Sequence, residues 1–176
     1  SVWNGRTQVV YLDFDTYTNT GATWDGLHAD DHGVNEHEYT QLERDQIQAR
    51  MEEIYEGFQV FITQDQEVAQ DVADATQLAA PGTGKYAPIY FNRPRLDNDG
   101  SEHTGGKSDQ LDFRNLHLDG TLVIQVTGLG TAEDEQHPDW WVNVSANIAI
   151  HEIAHMMGVR HGDANGGKRQ HGGKAE

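Results

Sequence analysis

Alternating hydrophobic and polar positions predict three β-strands in the first half of the chain. In the first of them, Val10, Leu12 and Phe14 recur at a period of two, so one face of the strand is apolar. Proline cannot donate a hydrogen bond to a strand ladder, so Pro88 favours an edge or irregular position for the third strand. The predicted strands are residues 6–15, 58–63 and 86–91.

A β-hairpin is predicted around Asp119-Gly120, a dipeptide typical of a two-residue hairpin turn. Residues 113–118 and 121–127 flank this dipeptide and form the two expected arms. The preceding residues 93–112 are polar and contain glycine, so they predict a long connection.

A capping box predicts the start of a long helix at residues 40–57. Thr40 and Glu43 are three residues apart, so the hydroxyl and the carboxylate can each accept a hydrogen bond from an unpaired backbone amide. Hydrophobic residues at helical spacing then form a stripe that is expected to face the core. This stripe consists of Ile47, Met51, Ile54, Tyr55 and Phe58.

Two more helices are predicted, a short one at residues 67–80 and a longer one at residues 144–157. Asn143 or Ser145 is expected to be the N-cap of the longer helix, because both side chains can accept from a backbone amide. No internal repeat is found. Strands interspersed with helices favour an α/β or α+β layered domain.

Net charge narrows the classes of partner. The 176 residues carry 29 acidic and 12 basic side chains, a formal net charge of −17. Nucleic acid is excluded as an expected partner, because phosphate binding needs a basic surface. Two interpretations of the acidic, lysine-poor surface stay open: adaptation to high salt, which screens self-repulsion, and ordinary solubility.

Cysteine and membrane-spanning segments are both missing from the sequence. Without cysteine, no disulfide can form and histidine is the soft metal ligand that remains; there are ten. No apolar run approaches the roughly 18 residues of a transmembrane helix, so no membrane partner is expected. The chain begins at Ser1 without Met, as a processed mature protein or a shortened one would, and a monomer is expected.

The longer helix carries a metal-binding motif. His151, Glu152, His155, Gly158 and His161 follow the spacing HExxHxxGxxH. Each helical residue advances about 100°, so the first two histidines lie about 40° apart and can reach one ion. The third histidine could not reach it along a continuing helix, but the glycine can adopt the left-handed conformation that turns the chain back. Three histidines with an open fourth position are typical of catalytic zinc.

Glu152 has a different expected role from the histidines. It lies about 60° around the helix from His155, near the metal but displaced from the position of a third ligand. We expect it to act as the general base that takes a proton from a zinc-bound water. The opposite helix face is apolar and is expected to pack on a sheet through Ala149, Ile150, Ile153, Met156 and Met157.

HExxHxxGxxH is the signature of the metzincin clan of zinc peptidases, and this chain resembles that family over residues 6–158. The resemblance implies a twisted, mostly parallel sheet with an antiparallel edge strand, a long backing helix and an active-site helix. It also implies a secreted zinc endopeptidase, similar to bacterial members, with residues 1–161 as its catalytic domain. Protein or peptide substrates would bind in extended conformation along residues 113–118.

The chain departs from the family after the third histidine. Metzincins place a Met-turn there, whereas none of the 15 residues after His161 is Met. Residues 162–176 are expected to be either a Gly- and Lys-rich tail or the remnant of a truncated C-terminal subdomain. This departure leaves an alternative function open: a zinc-binding module with little or no turnover.

Weaker signals concern a second metal and a supporting carboxylate. Asp97 and Asp99 alternate beside Gly100, as oxygen ligands do in calcium loops, so this segment predicts either a calcium site or a solvated acidic turn. Asp163 follows the third histidine by two residues and could hydrogen-bond a ligand histidine from outside the metal's own ligand set.

Overall fold

A computed structural model of the chain shows an α/β fold built on one five-stranded sheet and three helices in the described residues. The strand order is β2-β1-β3-β7-β6, with every pair parallel except β6 and β7. The strands are β1 (Gln8–Asp13), β2 (Val60–Thr63), β3 (Ala87–Phe91), β4 (Arg95–Leu96), β5 (Glu102–His103), β6 (Gly105–Ser108) and β7 (Leu122–Gln125). The structure describes residues 7–14, 37–92, 95–96, 102–108, 117–137 and 139–159.

Helices cover both faces of the parallel strands. α1 (Gln41–Ile54) and α3 (Trp140–Met156) pack on one face and against each other, and α2 (Gln66–Gln77) packs on the other face against β1 and β2. In β1, both Val9 and Val10 are buried, as expected for a parallel strand that is covered on each side. The two faces therefore contribute to separate hydrophobic clusters. No helix in the described ranges is long and apolar enough to cross a bilayer.

The predicted capping box of α1 is confirmed. The side chain of Thr40 accepts from the Glu43 amide, and the Glu43 carboxylate accepts from the Thr40 amide at 2.7 Å. The predicted apolar stripe is correct only in part. Ile47, Met51 and Tyr55 are buried in the core, whereas Ile54 and Phe58 are half exposed.

The predicted hairpin around Asp119-Gly120 is wrong. β7 forms where its second arm was expected, but β7 pairs on one side with β3 and on the other with β6, so neither side is left for residues 113–118. Of that expected arm, residues 117–118 are not in a strand, and residues 113–116 lie outside the described residues. Instead the Leu118 carbonyl accepts a hydrogen bond from the Gln8 side chain at 3.3 Å, and Asp119 forms an ion pair with Lys85.

Two further expectations about strands need correction. Pro88 lies in β3, the central strand, and not at an edge; it is paired with Tyr11 of β1, and the ladder to β7 begins one residue later, at Ile89. The residues expected to form a long connection contain β4, β5 and β6. Glycine-rich β6 carries little strand propensity of its own and is held by its pairing with β7.

Helix α3 begins at Trp140, four residues before the predicted start. Asn143 and Ser145 are therefore inside the helix and do not cap it; the residue at the N-cap is Asp139, whose side chain makes no capping hydrogen bond. Ser145 is fully buried, and its hydroxyl shares a 2.7 Å hydrogen bond with the Tyr39 hydroxyl. The Tyr55 hydroxyl donates to a backbone carbonyl of α3 at 2.7 Å, and burial raises the pKa of this phenol. These bonds join α1 and its leading segment to α3.

Candidate metal centre

The C-terminal half of α3 brings two histidine side chains together at the protein surface. The Nε2 atoms of His151 and His155 are 2.9 Å apart, and the two rings are nearly perpendicular, with centroids separated by 4.5 Å. One helical turn separates the two residues, which places both imidazoles on the same side of the helix. The predicted juxtaposition of these two histidines is confirmed.

A backbone carbonyl orients the second histidine. The Nδ1 atom of His155 lies 2.6 Å from the carbonyl oxygen of Val159. Because that oxygen can only accept, Nδ1 is the donor, and in the neutral ring Nε2 then presents its lone pair. A carbonyl partner on the outer ring nitrogen is a common feature of metal-binding histidines, since it selects the tautomer and holds the ring in place.

Gly158 ends the helix as predicted. Its φ of 95° lies in the region that favours glycine. The amide of Gly158 donates to the His155 carbonyl at 2.8 Å, and the amide of Val159 donates to the Ala154 carbonyl at 2.9 Å. Together these bonds form a Schellman motif, in which the chain reverses past the last turn. The same reversal brings the Val159 carbonyl back to His155, so the helix end and the histidine orientation depend on one turn.

Glu152 is adjacent in sequence to His151 but lies in a different environment. Its side chain is only 6% exposed, whereas His151 is exposed. Edge strand β6 lies directly against this side chain. A Cβ atom built on Gly106 would lie 2.7 Å from Cγ and 2.8 Å from Oε1 of Glu152. The carboxylate is therefore packed against the strand backbone. Sequence reasoning missed Gly106, and the paired glycines at positions 105 and 106 were the only available signal.

The remaining predicted site residues lie outside the described residues. These are the third zinc ligand His161, the calcium candidates Asp97 and Asp99, and the supporting Asp163. The strands that flank the calcium candidates, β4 and β5, pair antiparallel with each other. Within the described ranges, no group of three or more His, Cys, Asp or Glu side chains is placed to hold a metal ion.

Aromatic side chains pack at the N-terminal end of α3. The ring of Trp141 stacks on that of His37 at 4.0 Å and an angle of 2°, and its indole nitrogen donates to the Glu135 carbonyl. The His37 ring also meets the Glu43 carboxylate at 3.1 Å. Both tryptophans at the start of α3 are partly buried and pack against the core.

No protein-family model, curated protein or solved structure matches this chain. Two imidazole nitrogens converge at 2.9 Å, and imidazole is a preferred ligand of zinc. The paired donors and the carbonyl that orients one of them fit a zinc ion.

Proposed function

We propose that this protein is a zinc-dependent endopeptidase of metzincin type. His151, His155 and His161 would hold the metal, and Glu152 would act as the general base. The observation that carries the proposal is the convergence of two Nε2 atoms to 2.9 Å beside a buried carboxylate on the same helix.

The close approach of the two Nε2 atoms fits either a hydrogen bond from His151 to His155 or a metal ion held by both rings. Two neutral imidazoles can share at most one hydrogen between their Nε2 atoms, and His155 already donates through Nδ1. Zinc–nitrogen bonds of about 2.0–2.1 Å at tetrahedral angles place two nitrogens roughly 3.3–3.4 Å apart, so binding of zinc would need the two rings to separate by only about 0.5 Å. A cation between the rings would use both lone pairs.

Burial of Glu152 supports its proposed role as base. A zinc ion bound by the histidines would lower the pKa of its water towards about 7 and polarise the scissile carbonyl. Glu152 would take the water's proton and deliver it to the leaving amine. Packing against β6 restricts the carboxylate to few positions, so its orientation is set before a substrate binds.

Edge strand β6 is the proposed binding site for an extended peptide. It is the last strand of the sheet in the described part of the chain, and it runs beside α3. A peptide can add to an exposed strand edge through main-chain hydrogen bonds, with side chains alternating towards pockets. This assignment replaces residues 113–118, whose expected pairing with β7 is taken by β6.

Other parts of the proposal rest on charge and sequence pattern. A net charge of −17 disfavours nucleic acid as a partner. We propose a secreted monomer that acts on unfolded or extended protein segments, with neither a membrane nor a nucleic acid as partner. Calcium bound through Asp97 and Asp99, and support of a ligand histidine by Asp163, belong to the same proposal.

Substitution Glu152→Gln tests the proposal because it removes the base and keeps the side-chain size. Hydrolysis of an unfolded protein should fall by about 10²–10⁴-fold while zinc stoichiometry stays at the wild-type value. Glu56→Gln, an exposed site beyond the end of α1, is the matched control and should retain activity. Zinc binding with no difference in hydrolysis between wild type and Glu152→Gln would favour the alternative, a zinc-binding module without turnover.

A further inference from the structure

We propose that Gly106 is a positioning residue that sets the location of the Glu152 carboxylate. This inference rests on the proposed function of Glu152 as a base. The two residues are far apart in sequence, and the fold brings the edge strand and the helix together at this point. Glycine at position 106 allows a closer approach of helix and strand than any other residue.

The need for glycine at this position is steric. An added Cβ would lie 2.5 Å from Cγ2 of Ile148, 2.7 Å from Cγ of Glu152 and 2.8 Å from Oε1 of Glu152. Carbon atoms normally stay about 3.5–4.0 Å apart, so any side chain at position 106 must displace its neighbours. Gly105 differs, since its φ is 108° and an added Cβ would meet nothing within 4 Å.

Ile148 and Glu152 respond differently to such displacement. Ile148 is β-branched and stiff at χ1, so its contact can be relieved only by moving the helix or by removing the methyl group. Glu152 has flexible torsions, and rotation of its side chain is the easier relief. That rotation moves the carboxylate away from the place where a base must meet its proton, at about 2.6–3.2 Å.

The test places Gly106→Ala in an Ile148→Ala background, where the two remaining closest atoms belong to Glu152. Relative to Ile148→Ala alone, we expect kcat to fall by about 10²-fold, with little change in KM and with zinc stoichiometry retained. A fall in activity that follows the loss of zinc would overturn the proposal, because the glycine would then act through the helix as a whole.

A second measurement is independent of catalysis. In zinc-free protein with the Ile148→Ala background, Gly106→Ala should lower the Tm by roughly 5 °C when Glu152 is present. The same change should have less than half that effect in the presence of Glu152→Ala. An equal loss of Tm in both cases would overturn the proposal even if no variant hydrolyses any substrate, so its failure differs from failure of the proposed function.

Gly130, which precedes α3 in the chain, provides a matched control because an added side chain there would also press on α3. A Cβ added there would lie 2.5 Å from Cζ2 of Trp140, at the opposite end of α3 from Glu152. Gly130→Ala should lower the Tm to a similar extent and keep kcat at the wild-type value. This loss of Tm should be the same with and without Glu152→Ala. A loss of kcat in this control equal to that of Gly106→Ala would show that any disturbance of α3 suffices, and would overturn the specific role of Gly106.

Discussion

Neighbouring residues of α3 lie in opposite environments. His151 is exposed, whereas Glu152 is buried, because one residue along a helix rotates the side chain by about 100°. Metal-binding imidazoles must be reachable by an ion and by a substrate. A carboxylate base benefits from a fixed position and limited water, although burial of an acidic group costs stability.

His37 gives a prediction for the pH dependence of stability. Burial lowers its pKa, and this effect exceeds the opposing attraction of the nearby carboxylates of Glu43, Glu135 and Glu38. The unfolded chain, with a histidine pKa of about 6.5, therefore binds more protons than the folded protein between the lowered pKa and about 6.5. The contribution of His37 to the free energy of unfolding should be fully present above pH 6.5 and decrease as the pH falls through this window.

Urea unfolding of metal-free protein between pH 5 and pH 8 measures this dependence. His37→Phe keeps an aromatic ring for stacking on Trp141 but cannot titrate. We expect the unfolding free energy of this variant to vary less steeply with pH below about 6.5 than that of the wild type. A steeper or identical slope in the variant would contradict the assignment to His37.

Elements differ in how far sequence alone predicts them. α1 was predicted from Thr40 and Glu43, because a capping box acts over three residues and needs no tertiary contact. Strand β6 (GGKS) could not be predicted, since its stability comes from pairing with β7 and from the approach of α3. The Asp119-Gly120 dipeptide predicted a local hairpin, but the long-range pairs of β7 prevailed over the turn preference.

The candidate site also contains features that the sequence predicts and features that it does not. The pairing of His151 with His155 and the helix end at Gly158 follow from helix geometry and glycine conformation, and both were predicted. The burial of Glu152 could not be predicted, because it depends on Gly106 in a strand that sequence reasoning missed. Tertiary contacts therefore determine the environment of the proposed base, and local geometry determines that of the proposed ligands.

The turn at the end of α3 gives a prediction at the scale of an element. Gly158→Ala forces a Cβ into a positive-φ position and should lower the free energy of unfolding by about 1 kcal/mol. It should also weaken zinc binding by about 10-fold or more, because the Val159 carbonyl that orients His155 is displaced. Denaturant unfolding and zinc competition with a chelator measure the two effects.

Gly57 is the control for this prediction. It follows α1, has a φ of 87°, and an added Cβ would meet nothing within 4 Å. Gly57→Ala should cost a similar amount of stability without changing zinc affinity. Equal loss of zinc affinity in both variants would show that the effect of Gly158→Ala comes from general destabilisation and not from the turn.

At the scale of the whole molecule, the sheet order explains how the site is assembled. The order β2-β1-β3-β7-β6 puts the antiparallel strand at one edge, and α3 covers that edge on the face it shares with α1. The mostly parallel sheet with an antiparallel edge strand, expected from the family resemblance of the sequence, is confirmed. In this arrangement two of the three proposed zinc ligands, the proposed base and the proposed peptide-binding edge all lie along the C-terminal half of one helix.

Zinc titration of the metal-free protein, followed by hydrolysis of an unfolded protein substrate, tests the central claim most directly. The metal-free chain should be inactive, and activity should rise with added zinc to a plateau at about one equivalent per chain. His155→Ala should stay near the metal-free rate at the same zinc concentrations, because one of the two converging donors is lost. Hydrolysis that is equally fast without zinc, or that His155→Ala leaves unchanged, would contradict a zinc-dependent endopeptidase built on this helix.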